Sequence, residues 1–119
     1  MTHADSSAAA REYRNERRSH WDRVAARMAR WRGLGGGYHR RIARVYRSFI
    51  PQGERILELG CGDGRLLAAL KPSVGVGVDL SMAMLRSAAK RHPDLLFIQA
   101  DVHELKLKTT FDYIILSDL

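Results

Sequence analysis

With 119 residues, 45% of them hydrophobic, the chain has material for one small core and no more. Its net charge of +7 is unevenly placed, because residues 1–50 carry 12 arginines against 4 acidic side chains while residues 51–119 are close to neutral. There is no apolar run long enough to span a bilayer, no apolar signal-peptide core at the N-terminus and a single cysteine, so a soluble cytoplasmic protein without internal disulfides is expected.

Residues 1–10 are small and polar, which predicts a disordered start. From 11 to 31, Tyr13, Trp21, Val24, Ala25, Met28 and Trp31 recur near helical spacing and should gather on one face. Arg11, Arg14, Arg17 and Arg18 share this helix with Glu12 and Glu16, which reads as a solvated, partly self-paired surface. Binding of nucleic acid or an anionic surface is the sharper reading of that charge, but no recognisable nucleic-acid module accompanies it. Gly33-Leu34-Gly35-Gly36-Gly37 then breaks the helix as a flexible turn, without the Lys-Ser/Thr that follows a phosphate loop. A second helix over 38–49 places Ile42, Val45, Tyr46 and Phe49 on one face and stops before Pro51. Residues 1–50 therefore form a basic helical segment, and residues 51–119 the sheet-forming part.

The densest chemical signal is the run from Ile56 to Leu67, where an apolar strand enters a loop with glycines at 60, 62 and 64 and then a helix. Such glycines permit positive φ and let the backbone approach a ligand. A dinucleotide fingerprint requires G-x-G-x-x-G, with pyrophosphate on the helix N-terminus. Here the third glycine comes one position early, Arg65 takes the expected glycine's place, and Glu58 and Asp63 put carboxylates at the strand end and in the loop. Those charges repel a pyrophosphate and suit a ligand with a positive centre and an ammonium group. S-adenosylmethionine has both and no phosphate. Cys61 fits as a small packing residue of the loop, since no histidine-containing nucleophile signature accompanies it.

Acid-tipped strands follow. Val74-Gly75-Val76-Gly77-Val78 reads as a buried parallel strand with Asp79 at its carboxyl end, where ligands of open α/β sheets bind. Asp79 can take both hydroxyls of a ribose, or it can join Ser81 in capping the helix 82–91. The strand 95–100 ends at Asp101, placed either to accept from the adenine amine, with the Val102 N–H donating to a ring nitrogen, or to cap the turn through His103 and Glu104. A fourth strand, 111–116, delivers Ser117 and Asp118 to the same rim.

The motifs ELGCGDG, GVDLS, QADVHEL and FDYIILSDL, in that order and at β-α-β-α-β spacing, make residues 55–119 resemble the class I S-adenosylmethionine-dependent methyltransferases. The resemblance implies an α/β fold, a doubly wound parallel sheet, partial here with strand order 3-2-1-4, preceded by two helices. It implies S-adenosylmethionine as cofactor, with the methionine end held by Glu58, Gly60, Cys61, Gly62 and Gly64, the ribose by Asp79, and the adenine by Leu80, Met82, Asp101 and Val102. Ser117 should face the reacting end. The implied reaction is methyl transfer to an unidentified acceptor, an in-line displacement in which the enzyme mainly positions the reactants. Asp118 and His39 are the candidate bases, and Tyr38 and His39 the candidate lid residues. No metal is expected, because the five histidines are scattered.

Resembling proteins continue beyond the fourth strand, so a fragment is expected, its sheet completed by a C-terminal remainder or a partner chain. A cofactor-binding module incomplete for catalysis is the main alternative. A nicotinamide-dependent oxidoreductase is disfavoured by the glycine spacing and the loop carboxylates.

Overall fold

The computed structural model describes residues 3–30 and 36–117. Its elements are α1 (His3–Arg30), α2 (Gly36–Arg47), β1 (Arg55–Leu59), α3 (Arg65–Ala69), β2 (Val74–Asp79), α4 (Met82–Arg91), β3 (Leu96–Gln99), a single 3-10 turn (Val102–Glu104) and β4 (Tyr113–Leu116). Helix α1 begins at His3, so residues 3–10 belong to the helix, helped by the alanine run at 8–10, and of the expected disordered start Met1 and Thr2 lie outside the described residues. The expected glycine turn shrinks in the same way, with Gly36 and Gly37 forming the first residues of α2. Its other residues, Gly33 to Gly35, lie outside the described residues, as do Trp31 and the side chains of Trp21, Val24, Ala25, Met28 and Tyr38.

All strand pairings are parallel, in the order β3-β2-β1-β4. The order reverses at β1, because the chain runs outward through β2 and β3 and then returns to pair β4 on the other side of β1. A ligand crevice is expected outside the carboxyl ends of the strands at such a switch.

Strand β2 shows how the sheet accommodates its helices. Successive residues point to opposite faces, so Val76 and Val78 join Leu57 and Leu59 in one buried layer, which Ile98, Val102, Leu105 and Phe111 complete. Gly75 and Gly77 fall on the other face. A Cβ at 75 would lie 2.7 Å from both Leu95 and Pro72, and one at 77 would lie 2.7 Å from Cys61 Sγ and 2.9 Å from the Phe97 ring. The glycines thus admit the glycine loop and the β3 side chains against the sheet. On that face Ile56, Leu67, Leu70, Ile115 and Ile50 form the second core layer, with Tyr46 packed against it.

Helix α2 buries Ala43 and half-buries Ile42 and Tyr46, and the turn that follows it buries Ile50 in this core. Val45 and Phe49 are 60% and 56% exposed, so the predicted apolar face is rotated: 43, 46 and 50 lead it. Tyr13 is likewise 62% exposed rather than packed. Helix α4 is capped by fully buried Ser81, whose hydroxyl accepts the Met84 N–H at 3.2 Å. Among the described residues no helix is long and apolar enough to cross a membrane.

Candidate functional site

The glycine loop folds back on β2. Gly60 N–H and Cys61 N–H both donate to the Val78 carbonyl, at 2.8 and 3.1 Å, and Gly64 N–H closes the turn on the Cys61 carbonyl at 3.0 Å. Gly60, Gly62 and Gly64 take φ of 79°, 55° and 80°, a left-handed conformation that side chains disfavour. Their surroundings differ. The nearest atom to a Cβ at Gly62 is Met84 Sδ at 4.0 Å, which leaves space over that residue for a ligand. A Cβ at Gly64 would meet the Phe97 ring at 2.9 Å, so Gly64 serves packing.

Asp79 spans the loop and the next helix. Its Oδ2 accepts the Gly62 N–H at 2.9 Å and its Oδ1 the Ser81 N–H at 3.0 Å. Helix α4 is capped by Ser81, so Asp79 does not cap it but pins the glycine loop to its entry.

Glu58 ends at the floor of the cleft, 2% exposed. Its Oε2 lies 2.7 Å from the Ser117 hydroxyl, whose proton is also within reach of the Gly60 carbonyl at 2.8 Å. This ties the end of β4 to the loop after β1. Asp63 departs from the expectation that it serves a cationic ligand: its carboxylate pairs with Arg65 Nε at 2.9 Å and Arg91 Nη1 at 3.8 Å. Burial, reinforced by the carboxylates of Asp79 and Glu58, pushes the Cys61 thiol far above its ordinary range. A neutral buried thiol is no nucleophile, which agrees with its reading as a packing residue.

Two cavities open at the carboxyl rim. One, of about 650 Å³, is lined by Val78, Leu80, Asp101 and Val102 from the sheet side and by Tyr13, Arg14 and Arg17 from α1. The other, of about 500 Å³, is lined by Glu58, Cys61, Gly62, Met84 and Ser117 and by His39 and Arg41 from α2. Gly60 and Asp79 line both. Gly64 and Met82 are in neither lining, while Met84, not singled out from the sequence, sits beneath Gly62. Helical phase explains the miss: Met84 lies three residues after the cap Ser81, and only the fold turns it toward the loop. Asp118 lies outside the described residues.

Asp101 caps its turn by accepting the His103 N–H at 2.9 Å. It also approaches Arg14, which makes a closer pair with Glu104. Arg14 therefore reaches across to the sheet rim, where the sequence suggested pairing within α1. Among the described residues no group of three or more His, Cys, Asp and Glu side chains is placed to hold a metal ion.

A parallel sheet that reverses at β1, with a glycine loop and acid-tipped strands around the crevice, defines a Rossmann-like nucleoside-binding domain. Comparison with known proteins narrows the class. The methyltransferase domain family matches residues 56–119, more than half of the chain. The chain is 33% identical over 84 residues to a dTDP-3-amino-3,6-dideoxy-alpha-D-glucopyranose N,N-dimethyltransferase of Streptomyces fradiae, covering 66% of this chain and 33% of that protein. It is 45% identical over 56 residues to the trans-aconitate 2-methyltransferase of an Acidovorax species, covering 44% of this chain and 22% of that one. Among solved structures, the S-adenosylmethionine-bound amino pentose methyltransferase CalS10 of Micromonospora echinaspora superposes with a TM-score of 0.59 at 28% identity, covering 80% of this chain and 42% of that one. This chain belongs to the methyltransferase domain family, with the class I S-adenosylmethionine-dependent fold. It spans about a third or less of the length of the curated relatives just named.

Proposed function

We propose that the chain binds S-adenosylmethionine along the rim and holds it for methyl transfer to a small anionic acceptor. The observation that carries this reading is the position of Gly60 and Asp79 in both cavity linings. A ligand with a sugar at Asp79 then extends one end toward Leu80, Asp101 and Val102 and the other toward Glu58 and Gly62. The residues fit the cofactor: the open space over Gly62 accommodates the methionine end, and the carboxylate of Glu58, near the loop, suits an ammonium group. Asp79 accepts the ribose hydroxyls, and Asp101 with the Val102 N–H reads the adenine edge. Cys61 shapes the loop, and Ser117 orients Glu58.

When bound, the cofactor supplies a methyl group activated by its sulfonium. The chain's own part is to orient that end and exclude water from the approach of the acceptor. The acceptor side is formed by α2, which carries four arginines and no acid, with His39 and Arg41 lining the cavity. The relatives named above act on a dTDP-sugar and on an aconitate, both anionic, which supports the same acceptor class. His39 is the base for an acceptor that must lose a proton; a carboxylate acceptor requires none.

In this reading residues 1–50 cap the cleft and residues 51–119 bind the cofactor. Edge strand β4 leaves Ile114 and Leu116 61% and 62% exposed, which favours pairing with further polypeptide. A free buried thiol suits a reducing cytoplasm. Calorimetric titration with S-adenosylmethionine, S-adenosylhomocysteine and NAD tests the reading, followed by a methyl-transfer assay with trans-aconitate as probe. Binding of NAD alone would overturn it. Binding of S-adenosylhomocysteine without turnover of any acceptor assigns the chain to the incomplete-module alternative.

A further inference from the structure

Helix α1 is far from the sheet in sequence, yet Arg14 meets the turn after β3 at two carboxylates. The contacts are unequal. Arg14 pairs closely with Glu104, which is 64% exposed, and stands 3.8 Å from Asp101 Oδ2, whose side chain is only 15% exposed. Asp101 Oδ1 is already engaged by the His103 N–H. At 3.8 Å the guanidinium is beyond hydrogen-bonding distance of Oδ2, so that oxygen retains accepting capacity within the cavity that Asp101 lines. Glu104 and Arg14 line the same cavity, so their pair joins α1 to the sheet rim across the adenosine half of the cleft.

We propose that Arg14 is a positioning residue that latches α1 over the bound nucleoside. Its anchor is Glu104, and its approach to Asp101 sets that carboxylate beside the ligand. This rests on the cofactor reading above. A half-exposed ion pair contributes little to folding, and α1 also packs on α4, so the pair is dispensable for the fold. Its effect falls on how readily the helix swings away, and hence on how long the ligand stays.

The test is the dissociation rate of S-adenosylhomocysteine from the whole chain by surface plasmon resonance. Arg14→Gln and Glu104→Gln should each speed dissociation about fivefold, the ratio that ~1 kcal/mol corresponds to. The double variant should be no faster than either single one, because the two side chains act as one pair. Raising the salt concentration should speed wild-type dissociation toward the variant rate and leave Arg14→Gln unchanged. The salt series on the wild type requires no substitution, so it stands even where a variant is poorly folded. Unchanged dissociation in both variants, or additive effects in the double, would overturn the latch. A wild-type chain that binds no S-adenosylhomocysteine overturns the cofactor reading instead.

Discussion

Replacing Asp79 removes two hydrogen bonds and, in the proposed reading, a ligand group at once, and the two losses are separable. The carboxylate accepts N–H groups from Gly62 and Ser81 at 2.9 and 3.0 Å. Hydrogen bonds to a charged acceptor contribute about 1.5–3 kcal/mol each. Asp79 is half-buried, so the low end applies and Asp79→Ala should cost about 3 kcal/mol in all. With a urea dependence of about 2 kcal/mol/M for a domain of this size, the unfolding midpoint falls by about 1.5 M. Losing the acceptor for the ribose hydroxyls should weaken S-adenosylhomocysteine about a hundredfold by calorimetry. Asp79→Asn keeps one carbonyl oxygen for one of the two N–H groups and should fall between wild type and alanine in both measurements. A wild-type urea midpoint for Asp79→Ala would refute the bridging role. A lowered midpoint with unchanged affinity would refute the ribose role and leave only the structural one.

Gly64→Ala combines a φ of 80° with a Cβ 2.9 Å from the Phe97 ring, and should cost about 2–4 kcal/mol in thermal unfolding. Pairing it with Phe97→Leu relieves the clash alone, so stability should return only in part. Cys61 gives a signed pH dependence. Its folded thiol holds its proton well above the ordinary range, while the unfolded chain releases one from about pH 9. The folded state then binds more protons, so stability is full below about pH 9 and falls above it by about 1.4 kcal/mol per pH unit, a slope that Cys61→Ala should lack. Asp112 runs the other way. The backbone N–H of Arg55, at 2.9 Å, and then its guanidinium hold this carboxyl below its usual range. The contact between the starts of β1 and β4 is present above the ordinary carboxylate range and lost as pH falls through the depressed value. Asp112→Asn should flatten that acid limb of the melting curve.

Period and punctuation were legible before any coordinates. The alternation in VGVGVD, the glycine spacing in ELGCGDG and the acids at strand ends marked the four strands and their rim, while the order β3-β2-β1-β4 came from the family resemblance those motifs carry. These signals are local, or follow from the short right-handed connections that parallel strands require. The N-terminal half was less legible. A helix's phase and end depend on the surface it meets, so Ala43 of α2 and Ile50 of the turn after it became buried while Val45 and Phe49 stayed outside. Arg14 looked like one more charge on a solvated helix, because ion pairing between distant segments leaves no mark on either one.

By itself the sequence determined which backbone could form at residues 60–64 and which chemical groups stood at the strand ends, since both follow from residue type and from spacing along one strand or loop. Tertiary structure alone decided what those groups do to one another. It assigned Asp79 to the glycine loop and Ser81 to the helix cap, neutralised Asp63 with two arginines, set Gly64 and Gly77 against Phe97, and carried Arg14 to Glu104. Each of these depends on distances between segments that only the folded sheet brings together.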